Sequence, residues 1–548
     1  MVRTVDDRAL DRGNPAAGPV AAGGTTTGDL SWPLERAARL YGNETALVDG
    51  ERRITYGQLS RRVGGLGAAL DELRVAGGGR LGVLAANSLA HAEWWLGVPA
   101  FGRVLVDLNF RLTLEEVAFM IDDSAVEVLL LDDGRLELGS ALRERCPSLQ
   151  ALVHAGPGSC PDGWLAYEEL IARPASPPPG LDEHQLATIS YTGGTTGRPK
   201  GVMLSQGNLL ANARHNLVAT GHRHDDRFLH IPPMFHVAGT SNLFAATWVG
   251  ATQVILPRFD AHTVAETIER ERITHAVLVP TMLDMLLRVL DERPTDLSSL
   301  RNLQYAASPI SPALQRRALQ RLQCELAQFY GMTETAPTVT HCTPEDHRRG
   351  AAGEEPYKTR LRSMGAPVPG VQVQIRGADG AELLPGEIGE VWVRGPNVML
   401  GYWQRPEATD AALVDGWYRS GDAAYADSDG YLYMVDRLKD MIISGGENVY
   451  SVEVEAALVE HVSVLEAAVF GVPDAQWGEA VHAVAVLAEG ADVSGAELID
   501  HCRPRVAGFK VPRSIELRTA PLPKSGAGKV LKRELRDPHW SGHERRVN

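Results

Sequence analysis

Short apolar runs alternate along the chain with longer stretches whose apolar residues recur every three or four positions. Leu81-Gly82-Val83-Leu84-Ala85, Val128-Leu129-Leu130-Leu131-Asp132 and His275-Ala276-Val277-Leu278-Val279-Pro280 are apolar apart from a terminal Asp132 and His275, as expected of strands buried on both faces. Helical spacing fills Leu59 to Leu73, Leu114 to Ile121 and Thr263 to Glu271. This alternation predicts an α/β protein with largely parallel sheets covered by helices. From about Gly370 to Gly395 the period falls to two. Val371-Gln372-Val373-Gln374-Ile375 and Gly389-Glu390-Val391-Trp392-Val393, set between Gly, Asp and Pro turns, predict a small antiparallel β region. A fresh strand–helix pattern starts after Asp436 and runs to about Arg536.

The expected domains are a multi-lobed N-terminal body over 31–435, with parallel sheets and the β-rich subdomain, and a small α+β domain over 436–540. Residues 1–30, with no apolar period, are expected to be a disordered arm, and 541–548 a loose tail. The Pro-rich stretch at 174–180 reads as a surface crossing.

Composition narrows the function. A chain of 548 residues, 44% hydrophobic and 22% charged, is long enough for several cores and typical of globular proteins. A net charge of −15 argues against nucleic-acid or anionic-membrane partners, but not against an anion held by local donors. Cys146, Cys160, Cys324, Cys342 and Cys502 are scattered without a C-x-x-C, so neither a disulfide framework nor a zinc site is indicated. The chain shows no secretory apolar segment and no run long enough to span a membrane, so a cytoplasmic protein without integral membrane association is expected. Oligomeric state is left open. The 55 glycines exceed average usage, and their placement is informative.

After the apolar run Leu186 to Tyr191 comes Thr192-Gly193-Gly194-Thr195-Thr196-Gly197-Arg198-Pro199-Lys200. Glycines here let several backbone N–H groups and hydroxyls converge on one anion, and Lys200 brings a charge suited to phosphate oxygens. The spacing is not that of a Walker A loop.

This loop resembles the signature of the adenylate-forming superfamily, which includes acyl-CoA synthetases, aryl-acid ligases and peptide-synthetase adenylation domains. The resemblance continues in order over roughly Trp32 to Arg536. In Pro232-Pro233-Met234-Phe235-His236, His236 matches the family residue beside the carboxylate pocket, and Phe235 stands where amino-acid-activating members differ. Tyr305-Ala306-Ala307-Ser308-Pro309 resembles the segment between acyl pocket and adenine, which assigns Ala307 and Ser308 to nucleotide binding. Tyr330-Gly331-Met332-Thr333-Glu334 matches the Y-G-x-T-E element. Tyr330 can stack on a purine, Thr333 can bond a phosphate or the adenylate, and Glu334, with Thr195, can offer oxygens to Mg²⁺. Gly386 to Gly395 with Gly401-Tyr402 resembles the family's β-rich subdomain, for which a structural role is expected.

In Tyr418-Arg419-Ser420-Gly421-Asp422, Asp422 can accept both ribose hydroxyls. In the match from Asp436 to Val449, Arg437 can bind ribose or phosphate, Asp436 falls at the hinge of a mobile C-terminal lid, and Gly445 and Gly446 line a passage for a thiol arm. Lys529, in Pro523-Lys524-Ser525-Gly526-Ala527-Gly528-Lys529, matches the catalytic lysine, with Lys524 and Lys532 as competitors nearby. Thr240, Ser241 and Asn242 either face the acyl pocket or cap a helix.

The resemblance implies ATP-dependent activation of a fatty or aryl carboxylic acid to acyl-AMP with release of pyrophosphate, then transfer to CoA. ATP, Mg²⁺ and CoA are the implied ligands. The alternatives are another acceptor (a carrier protein, an amine or an unusual small nucleophile) and, remotely, a non-catalytic nucleotide-binding protein. The tail after Arg536 is expected to leave no room for a carrier domain.

Overall fold

Burial explains the continuous apolar runs. They form strands Arg80–Leu84, Val128–Leu131 and His275–Leu278, covered along nearly their whole length. In this computed structural model, residues 28–192, 199–308, 310–438, 440–445, 447–524 and 530–541 are described. The first two strands lie parallel, with Leu81 opposite Val128, inside an eight-stranded sheet. The third runs parallel between Arg227–His230 and Asn302–Tyr305 in a nine-stranded sheet.

The helical spacing becomes Tyr56–Glu72, Leu114–Ser124 and Ala261–Glu271. Each begins where a side chain satisfies an orphan N–H of the first turn. Thr55 with Gln58 and Thr113 with Glu116 form capping boxes, and Asp260 accepts from the Thr263 amide at 2.8 Å.

The packed body starts a little before the expected boundary. Leu30 is fully buried, its amide donating to Gln206 Oε1 at 3.0 Å, and the Asp29 carboxylate accepts from the Leu181 amide at 2.9 Å. Residues 28–30 are therefore not part of a disordered arm, because these buried contacts hold them. The rest of that expected arm, and the expected tail beyond 541, lie outside the described residues.

The alternating segments pair as Gln372–Arg376 and Gly389–Arg394, with Val373 opposite Val393. Their antiparallel sheet continues through Trp417–Ala426 to Leu432–Arg437. A fourth sheet contains Ile442–Ser444, Glu447–Val449, Val464–Asp474, Gly478–Leu487 and Ser514–Arg518. With helices Ser451–Val459 and Gly495–Cys502 it encloses a separate core that includes Ile442, Val454, Leu458, Val481 and Leu498. Helix Ser451–Val459 packs back on strand Leu432–Arg437, where the chain passes from the third sheet to the fourth. No helix among the described residues is long and apolar enough to cross a membrane.

Candidate active site

Three sequence segments singled out above leave the same edge of the nine-stranded sheet. The parallel strands Arg227–His230, Asn302–Tyr305 and Glu325–Gly331 lead at their carboxyl ends to His236, to Ala307 and Ser308, and to Thr333 and Glu334. That edge is where open α/β sheets bind ligands, since the loops there come from separate strands and converge.

Strand Glu325–Gly331 ends in a turn that requires glycine. A Cβ on Gly331 would lie 1.6 Å from the carbonyl oxygen of Pro337. The close approach lets the Met332 amide donate to that oxygen at 3.0 Å and starts the tight turn Thr333–Thr335. Buried Asn397 holds the turn from outside, donating to the carbonyls of Thr335 and Thr338 at 2.8 Å each. Thr333 is buried within it.

Glu334 projects from this turn. Its Oε1 accepts from the Tyr402 hydroxyl at 3.0 Å. Burial pushes its carboxyl above the usual range. The Tyr402 hydrogen bond and the charge of Arg437 only partly offset this, and the Asp422 charge adds to it. A desolvated carboxylate raised by burial and by the Asp422 charge gains from a hard dication beside it, so Glu334 fits Mg²⁺ as an oxygen ligand.

Tyr402 is a residue that the sequence reading missed, because Gly401-Tyr402 was grouped with the structural β-rich segment. Instead, Gly401–Tyr402 adds to the edge of the eight-stranded sheet, with Tyr402 opposite Val202 on strand Lys200–Ser205. That strand and Leu186–Thr192 form an antiparallel pair with Thr192 opposite Lys200. Lys200 Nζ lies 4.9 Å from the centre of the Tyr402 ring, a cation–π distance. Lys200, Tyr402 and Glu334 thus make one continuous contact path. The loop residues Gly193, Gly194, Thr195, Thr196 and Gly197 lie outside the described residues.

The β-rich sheet also contributes chemistry. Asp422 and Arg437 face each other across neighbouring strands, 3.3 Å apart, and the Tyr330 hydroxyl donates to Asp422 Oδ2 at 2.8 Å. Buried Glu390, in the segment for which only a structural role was expected, shapes this corner. It accepts from the Gly421 amide at 3.1 Å, from Arg419 Nε at 3.0 Å and from Trp392 Nε1 at 3.1 Å. Glu390 lies on the face of Trp392 and is buried with it, which the alternation of Gly389 to Val393 alone does not mark.

His236 caps the short helix Val237–Thr240, its Nδ1 accepting from the Ala238 amide at 3.2 Å. Buried Asn87, also missed, clamps the preceding turn. Its side chain accepts from the Met234 amide at 2.7 Å and donates to the Pro232 carbonyl at 3.0 Å. Ala307 adopts a left-handed backbone, φ 73°, two residues after Tyr305, whose hydroxyl is fixed by His347 and Gln315. Asn242 does not cap the helix that follows it. Its amide joins an internal network, Nδ2 donating to Gln304 Oε1 and Oδ1 accepting from His222 Nε2, while the Ser241 carbonyl takes both Asn212 and Asn216.

In the C-terminal domain, buried Asp436 accepts from the amides of Arg437 and Ser451. Lys532 reaches Ser451 Oγ at 2.5 Å and Glu455 at 2.7 Å, and Lys524 pairs with Glu466 at 2.6 Å. Both competitors of Lys529 are therefore engaged elsewhere. Gly445 is left-handed, φ 64°, with the Trp477 ring 2.7 Å from where a Cβ would sit. Gly446 and Lys529 lie outside the described residues.

Residues 34–403 match the model of the "AMP-binding enzyme" family, and residues 453–529 match that of the "AMP-binding enzyme C-terminal domain". A feruloyl-CoA synthase from Amycolatopsis sp is 41% identical over 92% of this chain and 98% of its own length. The amide bond synthetase McbA from Marinactinospora thermotolerans superposes with a TM-score of 0.83 at 32% identity, covering 93% of this chain and 99% of its own. The o-succinylbenzoate CoA synthetase from Bacillus subtilis, solved with its acyl-adenylate intermediate, gives a TM-score of 0.79 at 30% identity, covering 92% of this chain and 97% of its own.

Proposed function

The chain belongs to the AMP-binding enzyme family, the adenylate-forming superfamily, and we propose the residue roles through which it works as an acyl-CoA ligase. It is an ATP-dependent, AMP-forming acid–thiol ligase. A carboxylate oxygen bonds to the α-phosphorus of ATP and pyrophosphate leaves. The CoA thiol then attacks the acyl carbon, and AMP leaves.

The observation that carries the assignment of roles is the joined set Tyr330, Asp422, Arg437, Glu334 and Tyr402. Asp422, with Arg437 opposite, accepts the ribose hydroxyls. Tyr330 lies against the adenine and keeps its hydroxyl on Asp422. Thr333 bonds the adenylate, with Ala307 and Ser308 along the nucleotide. Thr192, Gly193, Gly194, Thr195, Thr196, Gly197 and Lys200 hold the phosphates. Glu334 and Thr195 would hold Mg²⁺, which when bound neutralises phosphate charge. His236 borders the acid.

Lys529 offsets the charge that builds on the α-phosphate oxygens during attack. The engagement of Lys524 and Lys532 elsewhere supports this choice. The lid comprises 436–540 and turns at Asp436, so that Lys529 leaves before the thiol enters beside Gly445 and Gly446.

The acid is proposed to be aromatic. The feruloyl-CoA synthase and the o-succinylbenzoate synthetase both carry aromatic acids in their names and align over nearly the whole chain. Pyrophosphate release should be measured across aromatic and aliphatic acids, with CoA and, because of the amide bond synthetase, with amines. Aromatic acids are expected to give the highest turnover and a thioester with CoA. Preference for an aliphatic acid would overturn the substrate class, and amide without thioester would overturn the acceptor.

A further inference from the structure

A second cluster of ligand-type side chains lies in the C-terminal domain, apart from the nucleotide site. His482, Glu516 and His539 each offer one ligand atom, and these atoms all lie within 4.8 Å of one another. His482 and Glu516 share a face of the parallel pair Gly478–Leu487 and Ser514–Arg518, where His482 is opposite Ser514 and Val484 opposite Glu516. His539 arrives from the turn Asp537–Trp540, far along the chain.

Three features mark this as more than a chance grouping. His482 is 7% exposed, and its buried Nε2 has no hydrogen-bond partner. Its other nitrogen, Nδ1, lies 2.7 Å from Ser514 Oγ. A proton on Nδ1, donated to Ser514, leaves the Nε2 lone pair bare, the arrangement in which a hydrogen-bonded neighbour orients a metal-binding imidazole. Glu516 is held from behind by Arg518 Nε at 2.5 Å. Phe470, buried, walls the site with its ring centre 5.2 Å from His482 and 5.8 Å from His539, while Trp540 Nε1 bonds the Gly471 carbonyl at 2.9 Å and fixes the turn.

The other cluster of this kind, His222, Asp226 and His275, is a contrast. There Arg301 and Thr274 engage Asp226 Oδ1 and the Arg223 amide engages Oδ2, so both carboxylate oxygens are taken, whereas Arg518 pairs with Oε1 of Glu516.

We propose that His482, Glu516 and His539 form a binding site for a zinc-class divalent ion. Two nitrogens and a carboxylate are a known Zn²⁺ donor set, with water completing the shell. Bonds of about 2.0–2.1 Å require the ligand atoms to draw together from the 4.8 Å span, and exposed His539 is the side chain able to swing in. The ion pins the C-terminal turn onto the sheet. Val530, bridged to Lys524, leads into helix Lys532–Arg536 and then into this turn, so the ion fixes the far end of that described path.

The test uses full-length, tag-free protein stripped with chelator and titrated with Co²⁺, then Zn²⁺. The expected result is one tight equivalent, with visible Co²⁺ bands displaced by Zn²⁺ and a higher melting temperature with Zn²⁺. His539→Ala, at an exposed position, should keep the fold by circular dichroism yet weaken binding at least about tenfold and lose the Zn²⁺-dependent rise. His482→Gln should weaken binding likewise, whereas His275→Gln should not. No equivalent bound below about 10 µM, or full-affinity binding retained by His539→Ala, would overturn the site.

Discussion

Tyr402 donates its hydroxyl to Glu334 Oε1 at 3.0 Å across 68 positions of sequence, tying the edge of the phosphate-loop strands to the proposed metal carboxylate. The same ring faces Lys200, so one aromatic residue sets the spacing between a cation and a carboxylate on two different sheets.

Replacing Tyr402 by Phe keeps the ring under Lys200 and removes only the hydroxyl. A hydrogen bond to a charged group is worth about 1.5–3 kcal/mol, so kcat/KM for acid-dependent ATP–pyrophosphate exchange should fall roughly tenfold or more. The Mg²⁺ concentration for half-maximal rate should rise with it. Unchanged exchange would mean that Tyr402 is only packing.

Glu334 makes a prediction about stability. Burial raises its folded pKa above that of the unfolded chain, so the folded state binds the proton more tightly. Its contribution to stability is therefore present below the unfolded value and is lost as pH rises through the folded value. Glu334→Gln should melt at a higher temperature than the parent at pH 7.5 and match it near pH 4. Adenylation should be lost in the same variant. Scanning calorimetry at both pH values checks the sign, and a lower melting point for the variant at pH 7.5 would contradict it.

At Gly331 even one methyl group collides with backbone rather than with a movable side chain. Gly331→Ala should lower stability by more than about 3 kcal/mol or displace the Thr333–Thr335 turn. Urea unfolding and ATP binding read the two outcomes. A variant with native stability and ATP affinity would remove the steric argument.

Lys529 and Lys532 should separate cleanly. Lys529→Ala should abolish adenylation and largely spare thiolation of supplied acyl-AMP, and equal loss of both half-reactions would remove its assigned role. Lys532→Met strands Glu455 and Asp436 without the ammonium that stabilises them, since burial raises both carboxyls and Lys532 lowers them. The expected cost is about 3–5 kcal/mol, seen as unfolding of the C-terminal domain before the body.

Much of the architecture was legible because its signals are local. Runs such as Val128 to Leu131 announce a doubly covered strand by having no polar face, and the spacing of Leu114 to Ile121 announces a helix. Motif residues were legible for a different reason: the order of Tyr330 to Glu334, Asp422 and Arg437 resembles a known family. Tyr402, Glu390, Asn87 and Asn397 carry no such local mark. Each works by holding a segment far away in the chain: the Glu334 turn for Tyr402 and Asn397, the Asp422 corner for Glu390, and the Met234 turn for Asn87.

The sequence by itself determined the α/β class and the period change that marks the β-rich sheet, and it supplied the groups proposed to bind a nucleotide and activate a carboxylate. Those follow from periodicity, residue chemistry and motif order, which are properties of neighbours in the chain. Only the tertiary structure decided that Gly401–Tyr402 joins the phosphate-loop sheet, that Lys524 and Lys532 are engaged elsewhere, and that His482, Glu516 and His539 meet. Such meetings depend on strand order and on which face of a sheet each residue occupies, and long-range pairing sets both.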